Sequence, residues 1–427
     1  MTDSTLHLFE AVGVELEYMI VDADRLDVSP ITDRLFEQVA GEIVSDVEHD
    51  DIDWSNELVS HVVELKTAQP AKSLDGLAEQ FQTHVSTMNT ELASLGARLL
   101  PSAMHPWMDP VREMQLWPHD YNEIYAAFNR IFDCRGHGWA NLQSMHLNLP
   151  FCGDARPDDE FGRLHAAIRL ILPLLPAIAA SSPIMDGKRT GLLDSRLEVY
   201  RTNARRLASV VGRVIPEPVF TRDDYQRQIF DPMFAEIAPH DPDGVLRDEF
   251  LNARGAIARF GRGSIEIRVI DIQECPAVDI AVAQATVAVL KSLVAEQWSS
   301  LAEQQSLPVD PLHDVFLATI RDADEATIDH ADYLKLLGWK GSTPCRAIDL
   351  WSDLISRSGV PSTRDSAGND PLQTILDHGP LARRLTNALS KEPSREELLA
   401  VYGDLADCLA TGCVFTRTVA SGEKAAR

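Results

Sequence analysis

The chain of 427 residues has a globular composition, with 45% hydrophobic residues and a formal net charge of -26 at pH 7. This acidic excess excludes a broad basic surface of the kind that binds nucleic acid or an anionic membrane. We therefore expect a phosphate-bearing ligand to be bound by local arginines or metal ions. The N-terminal residues have no signal-peptide pattern, and the six cysteines have no paired spacing. Because the most apolar run, residues 170–180, is also too short to cross a bilayer, we expect a cytoplasmic protein.

The first predicted strand covers residues 12–20. Its apolar residues alternate with Glu15 and Glu17, so the two carboxylates lie on one face of the strand. Carboxylates at this spacing repel each other unless water or a cation lies between them, and Mg²⁺ binds through such oxygens. The alternative interpretation is a solvated outer face of an edge strand.

A second predicted strand covers residues 56–67 and contains Glu64 among apolar and β-branched residues. Strict alternation places Glu57 on the opposite face from Glu64. Glu57 therefore either precedes the regular strand or is separated from it by a bulge. An amphipathic helix is predicted over residues 73–95, and a further strand over residues 99–105.

A strand predicted over residues 139–150 places His146 and Asn148 on one polar face. An apolar helix follows over residues 160–180, and then a loop that is rich in arginine. Gly187 and Lys188 resemble part of a phosphate-binding loop, but Ser182 occupies the position of the required first glycine, so the motif fails. The loop is either a ligand contact or simply solvated.

Residues 205–262 have an irregular pattern, whereas residues 261–271 alternate cleanly and place Glu266 and Arg268 on one face. A salt bridge along the strand is one interpretation. The other is an acid for a cation beside an arginine for a phosphate. From residue 276 onward the pattern is helical, with helices predicted at 276–301, 311–321, 345–357, 371–391 and 394–410. We therefore divide the chain into a catalytic sheet-containing part, 1–275, and a helical part, 276–427.

Six short motifs then occur in a recognisable order. They are Gly13-x-Glu15-x-Glu17, the segment from Glu57 to Thr67, His105-Pro106, His146-Leu-Asn148-Leu, Ala180-Ser181-Ser182-Pro183 and Glu266-x-Arg268. In this combination the chain resembles the glutamate–cysteine ligase family, type 2, a group of carboxylate–amine ligases. The resemblance implies an α+β, glutamine-synthetase-like fold, in which helices flank a curved, mostly antiparallel sheet that forms a funnel.

The resemblance also implies a set of ligand-binding residues. Metal ions, Mg²⁺ or Mn²⁺, would be bound by Glu15, Glu17, Glu57, Glu64, His146 and Glu266. ATP would be bound by Arg268, Arg201, Ser182 and Lys188. The catalytic residues would be Arg268, Glu266 and Arg201, with Arg268 stabilising the transferred phosphoryl group.

The activity that the resemblance implies is ATP-dependent formation of an amide through an acyl phosphate. The expected acid is glutamate, activated at its γ-carboxylate, and the default amine is cysteine, as in glutathione biosynthesis. Two alternatives use the same residues: a metal-dependent phosphotransferase or hydrolase, and a catalytically silent relative that binds ATP or an amino acid. The helical part would pack against the sheet or form a subunit contact in a homo-oligomer.

Overall fold

The structure is a computed structural model, and it describes residues 5–417. Its strands are β1 (Gly13–Asp22), β2 (Asp46–Val47), β3 (Ile52–Asn56), β4 (Val62–Thr67), β5 (Ala97–Leu100), β6 (Ser144–Pro150), β7 (Ile184–Met185), β8 (Lys188–Arg189), β9 (Ala256–Arg259), β10 (Ser264–Asp271), β11 (Thr327–Ile328) and β12 (Cys345–Arg346). The larger strands belong to one sheet, and β7–β8 and β11–β12 are separate two-stranded ribbons.

The main sheet has the strand order β2-β3-β4-β1-β6-β10-β9, and β5 also pairs with β1. All of its pairings are antiparallel. Strand β1 pairs with β4 along one edge, while its other edge is shared by β6 near the start and β5 near the end. The predicted α+β class with a mostly antiparallel sheet is thus confirmed, and β1 lies at the centre of the sheet.

Helices pack against the sheet and make up most of the ordered elements from residue 276 onward. They are α1 (Thr32–Ala40), α2 (Leu77–Ser94), α3 (Pro110–Glu113), α4 (Asn122–Phe132), α5 (His137–Ala140), α6 (Glu160–Ile171), α7 (Pro176–Ala179), α8 (Ser195–Tyr200), α9 (Ala208–Val211), α10 (Arg222–Tyr225), α11 (Asp231–Ile237), α12 (Pro276–Val294), α13 (Leu301–Ser306), α14 (Val309–Asp322), α15 (Ala331–Leu336), α16 (Ala347–Ser358), α17 (Pro371–His378), α18 (Leu381–Ala388) and α19 (Arg395–Thr411). Short 3₁₀ turns occur at Leu172–Leu174, Glu249–Leu251 and Ala323–Glu325, and a π-helical turn at Gln226–Phe230.

Helix α12 is the central helix of the core, where it packs against α2, α6, α16 and α17. By length and composition it is apolar enough to cross a membrane, but 83% of its most apolar 18 residues are buried inside the fold. That burial is what a core helix requires, because the apolar face of the sheet must be covered on its helical side. The helix that is long and apolar enough to cross a membrane is thus α12, whereas the most apolar run in the sequence is residues 170–180.

Several predicted elements differ from the observed ones. Of the strand predicted over 56–67, only Val62–Thr67 forms a strand, β4. The preceding strand β3 ends at Asn56 and pairs antiparallel with β4, and Glu57 lies in the connection between them. Glu57 therefore precedes the regular strand, the first of the two alternatives. The strand predicted from residue 139 starts at Ser144, because Trp139 belongs to the short helix α5.

Proline and glycine explain the other differences. The helix predicted over 160–180 ends at Ile171 and continues as a 3₁₀ turn and the short helix α7, because Pro173 and Pro176 lack a backbone donor. The helix predicted over 371–391 divides into α17 and α18 at Gly379 and Pro380. Strand β9 lies inside the segment 205–262, for which the sequence showed no regular pattern.

Candidate functional site

The polar face of the main sheet collects the ligand-type residues of four strands. Glu15 of β1 lies opposite His146 of β6, and Glu17 lies opposite Glu64 of β4. Glu266 of β10 lies opposite Asn148 of β6. Directly opposed residues of an antiparallel pair point to the same side of the sheet, so these groups share one face.

This face forms the floor of a cavity of about 990 Å³. Strand side chains line it together with helix α4, the connection after β3 and the turn between β9 and β10. The charged, polar and aromatic side chains in the lining are Thr5, Glu15, Glu57, Glu64, Lys66, Thr67, Tyr125, His146, Asn148, Phe151, Phe250, Arg259, Arg262, Ser264, Glu266 and Arg268. Glu17 is buried just beneath them.

Glu15 is held by two neighbours on β6. Its carboxylate pairs with His146 Nδ1 at 2.8 Å and accepts from Asn148 Nδ2 at 2.9 Å. Burial alone would raise the pKa of Glu15, but the hydrogen bond and charge of His146, together with the charge of Arg268, lower it to about 2. Burial opposes protonation of His146, yet the charge of Glu17 and the contact with Glu15 raise the pKa of His146 to about 9. In the metal-free protein the imidazole is therefore a cation that offsets part of the carboxylate charge, and it would lose a proton on binding a metal ion.

Glu17 and Glu64 form the inner part of the carboxylate group. Glu17 Oε2 accepts from the backbone N of Ser144 at 2.7 Å and from its Oγ at 2.9 Å. Glu64 Oε1 accepts from Ser55 Oγ at 2.7 Å and lies 3.7 Å from Lys66 Nζ. Burial and the charges of Glu15 and Glu57 raise the pKa of Glu64 well above its ordinary value. This cluster is thus crowded with negative charge that its own cations do not balance.

Glu266 lies between two arginines. Arg259 donates to its Oε2 at 2.8 Å, and Arg268 Nε lies 2.8 Å from its Oε1. The same Oε1 is 3.8 Å from His146 Nδ1. Strand β10 has a register shift between Ile267 and Ile270, and such an irregularity re-aims the side chains within it, here that of Arg268.

Two groups of side chains on this face could each bind a metal ion: Glu15 with His146 and Glu266, and Glu17 with Glu64 and His146. Within each group, one ligand atom per residue lies within 4.8 Å of the others. Carboxylate oxygens suit Mg²⁺ and Mn²⁺, and an imidazole is also acceptable to Mn²⁺. Three protein ligands leave positions for water and phosphate oxygens, as Mg²⁺ in nucleotide sites requires. The donor set therefore fits a hard divalent cation.

Glu57 reaches the same cavity from the connection between β3 and β4. Burial, followed by the charge of Glu17, raises the pKa of Glu57 to about 7. Next to it, Asn56 Nδ2 donates to Tyr125 Oη at 3.1 Å, which links the connection to helix α4. The carboxyl group of Glu57 is therefore hard to ionise in the protein alone. A cation in the cavity would favour its ionised form.

The sequence model of one family, described as "Glutamate-cysteine ligase family 2(GCS2)", matches residues 11–400. The chain belongs to this family. An uncharacterised protein of Archaeoglobus fulgidus is 34% identical over 316 residues, which cover 74% of this chain and 80% of that protein. A protein of Corynebacterium glutamicum strain R with the provisional name glutamate–cysteine ligase 2 is 26% identical over 267 residues, 61% of each chain.

Two solved structures share the fold. A glutamate–cysteine ligase from Francisella tularensis in complex with AMP superimposes with a TM-score of 0.55 at 12% identity, covering 95% of this chain and 90% of that one. A bifunctional glutathione synthetase from Pasteurella multocida also gives a TM-score of 0.55, at 13% identity, covering 93% of this chain and 53% of that one. At these identities the likeness establishes the family fold alone.

Besides Glu17, which is buried beneath the lining, three of the residues predicted to bind ligands lie outside the lining of the cavity in this family member. Ser182 is buried, and its Oγ donates to Asp271 at 3.0 Å while accepting from the backbone N of Arg196 at 3.0 Å. Lys188 is exposed on the β7–β8 ribbon. Arg201 forms a bidentate pair with Glu198, at 2.6 and 2.7 Å. The roles assigned to these three residues stay predictions.

The cavity is also lined by residues that were not predicted from the sequence to bind a ligand. Lys66 could have been recognised, because it lies two positions after Glu64 and therefore on the same face of β4. Arg259 belongs to β9, which the sequence pattern did not reveal. Tyr125 and Phe250 come from a helix and a 3₁₀ turn, and their approach to the sheet has no local sequence signal.

Proposed function

We propose that this protein is an ATP-dependent carboxylate–amine ligase that forms an amide through an acyl phosphate, with glutamate as the activated acid. One observation carries the proposal: Glu15, Glu17, Glu64, His146 and Glu266 come from four strands and meet on one face of the sheet beside Arg268. Family membership supports the same conclusion.

The chemistry requires an electrophile, because a carboxylate is inert toward amines. An oxygen of the substrate carboxylate attacks the γ-phosphorus of ATP, the bond from that phosphorus to the β–γ bridging oxygen breaks, and ADP leaves. The amine nitrogen then attacks the acyl carbon, the carbon–oxygen bond to phosphate breaks, and the nitrogen loses a proton to solvent. No protein nucleophile takes part in either step.

The residues of the polar face suit these steps. Glu15, Glu17, Glu64, His146 and Glu266, with Glu57 at the rim, would hold Mg²⁺ or Mn²⁺, which when bound supplies neutralisation of phosphate charge. The guanidinium of Arg268 would donate to oxygens of the transferred phosphoryl group, where negative charge must be stabilised. The buried position of Glu266 keeps that guanidinium directed at the cavity.

The test measures ADP release with ATP and Mg²⁺ across acids and amines, singly and in pairs, with mass detection of the products. We expect ADP only when an acid and an amine are both present, together with an amide of matching mass. ADP release that needs no amine would contradict the ligase and favour a phosphotransferase or hydrolase. Nucleotide binding without ADP from any pair would favour a silent relative.

A further inference from the structure

The turn between β9 and β10 places one arginine at the edge of the cavity. The turn is fixed to the sheet, because Arg262 N donates to Arg259 O and Phe151 N donates to Gly263 O, both at 2.9 Å. Gly263 has a φ of +64°, a backbone conformation that glycine adopts without strain. Since Gly261 and Gly263 have no side chains, Arg262 projects alone from this part of the turn.

Arg262 has no counter-charge in the part of the chain that the structure describes. Besides the His146 imidazole, which is paired with Glu15, four cationic side chains line the cavity, namely Lys66, Arg259, Arg262 and Arg268. Lys66 is paired with Asp46 and Glu64, while Arg259 and Arg268 are both paired with Glu266. Within residues 5–417, Arg262 forms no ion pair and no side-chain hydrogen bond, and it is exposed.

A cavity whose floor is rich in carboxylates repels an anionic ligand, in a protein that already has a net charge of -26. A cation with unused donors at its mouth would offset this repulsion. A guanidinium presents paired N–H donors that match two oxygens of a phosphate or a carboxylate.

We propose that Arg262 binds an oxyanion of a substrate at the mouth of the cavity: a phosphate of the nucleotide, or the carboxylate of the amino acid that is not activated. This inference deepens the proposed ligase function and rests on it. The two oxyanions share the same recognition chemistry, and separate measurements distinguish them.

The first measurement is the affinity for MgATP, determined by calorimetry for the wild-type protein, Arg262→Ala, Arg262→Lys and Arg34→Ala. Arg34 is an exposed arginine of helix α1 outside the cavity lining, so its removal makes the same change in net charge. We expect Arg262→Ala to weaken MgATP binding about tenfold, Arg262→Lys about threefold and Arg34→Ala by less than about twofold. Melting temperatures should agree among the four proteins, since exposed arginines contribute little to folding.

The second measurement is the KM for the acid and the amine substrate in the ligase assay. An unchanged MgATP affinity with a KM for one amino acid raised about tenfold would assign Arg262 to that substrate's carboxylate. If Arg262→Ala matches Arg34→Ala in all of these quantities, the inference is wrong although the ligase function stands. If the wild-type protein does not bind MgATP, the proposed function itself is contradicted.

Discussion

The polar face of the sheet has two ends that treat buried charge differently. At the inner end, Asp271 lies opposite Ser144 and accepts from Ser181 N at 2.7 Å, from Ser182 Oγ at 3.0 Å and from Arg196 Nε. Arg196 is itself buried and also contacts the backbone O of Arg268 at 3.4 Å. Every oxygen of that carboxylate is therefore used within the fold.

The cavity end has the opposite character. Its carboxylates crowd one another, and Glu64 and Glu57 have raised pKa values because burial and like charges oppose their ionisation. A fold tolerates buried charges that are paired and hydrogen-bonded, whereas unsatisfied ones reduce its stability and are retained where a ligand completes them. The carboxylate at the inner end is satisfied by the protein, whereas we propose that a ligand completes the carboxylates at the cavity end.

The largest expected effect concerns Arg268. We expect Arg268→Ala to lower kcat about a thousandfold, because the guanidinium would stabilise charge that develops only during phosphoryl transfer. The melting temperature should stay close to that of the wild type, since this side chain is 28% exposed.

The matched control is Arg259→Ala, which removes the other arginine from the same Glu266 carboxylate. We expect a loss of only about tenfold in kcat, which is the size expected when one charge contact with Glu266 is lost. Equal losses in the two variants would show that neutralising Glu266 is what matters, and would remove the special role of Arg268.

The next effect tests the inner end of the face. Arg196→Met leaves the Asp271 carboxylate buried without its counter-charge, so we expect the free energy of unfolding to fall by about 3 kcal/mol in chemical denaturation. The double variant Arg196→Met/Asp271→Asn should recover much of this loss, because the carboxylate that pairs directly with Arg196 is then replaced by a neutral amide. Loss of turnover in Arg196→Met with unchanged stability would instead place Arg196 in the functional site.

The smallest effect has the opposite sign. Glu64→Gln removes a carboxylate that burial and two neighbouring acids disfavour, so the metal-free protein should become more stable by about 1 kcal/mol at pH 7. Addition of Mg²⁺ and ATP should raise the melting temperature of this variant less than that of the wild type. A destabilised variant in the absence of metal would mean that Glu64 already contributes to the fold like Asp271.

Period-two alternation explains how much of the site could be predicted from sequence. Glu15 with Glu17, and Glu266 with Arg268, lie two positions apart on strands, so their common face is visible without a structure. Which strands are neighbours is not visible in this way, since β1 and β10 are joined only through β6. The resemblance to a family supplied that information.

Contacts over long sequence separations could not be predicted. The Ser182 hydroxyl lies in a motif shared with the family, but Asp271, 89 positions later, determines that it faces the interior. Tyr125 belongs to helix α4, and nothing in the local sequence indicates that its side chain reaches the cavity above the sheet. Strand β9 is short and has an irregular sequence context, and only its pairing with β10 makes it a strand.

The central position of β1 has a consequence for altering the substrate range of the proposed ligase. A Cβ at Gly13 would lie 3.0 Å from Cβ of Asn148, so even alanine there would disturb the amide that holds Glu15. By contrast, Tyr125 and Phe250 line the cavity from outside the sheet. A directed-evolution library should therefore leave β1 unchanged and place its diversity at these two aromatic positions, where new substrates can be admitted without rebuilding the strand that supports the whole domain.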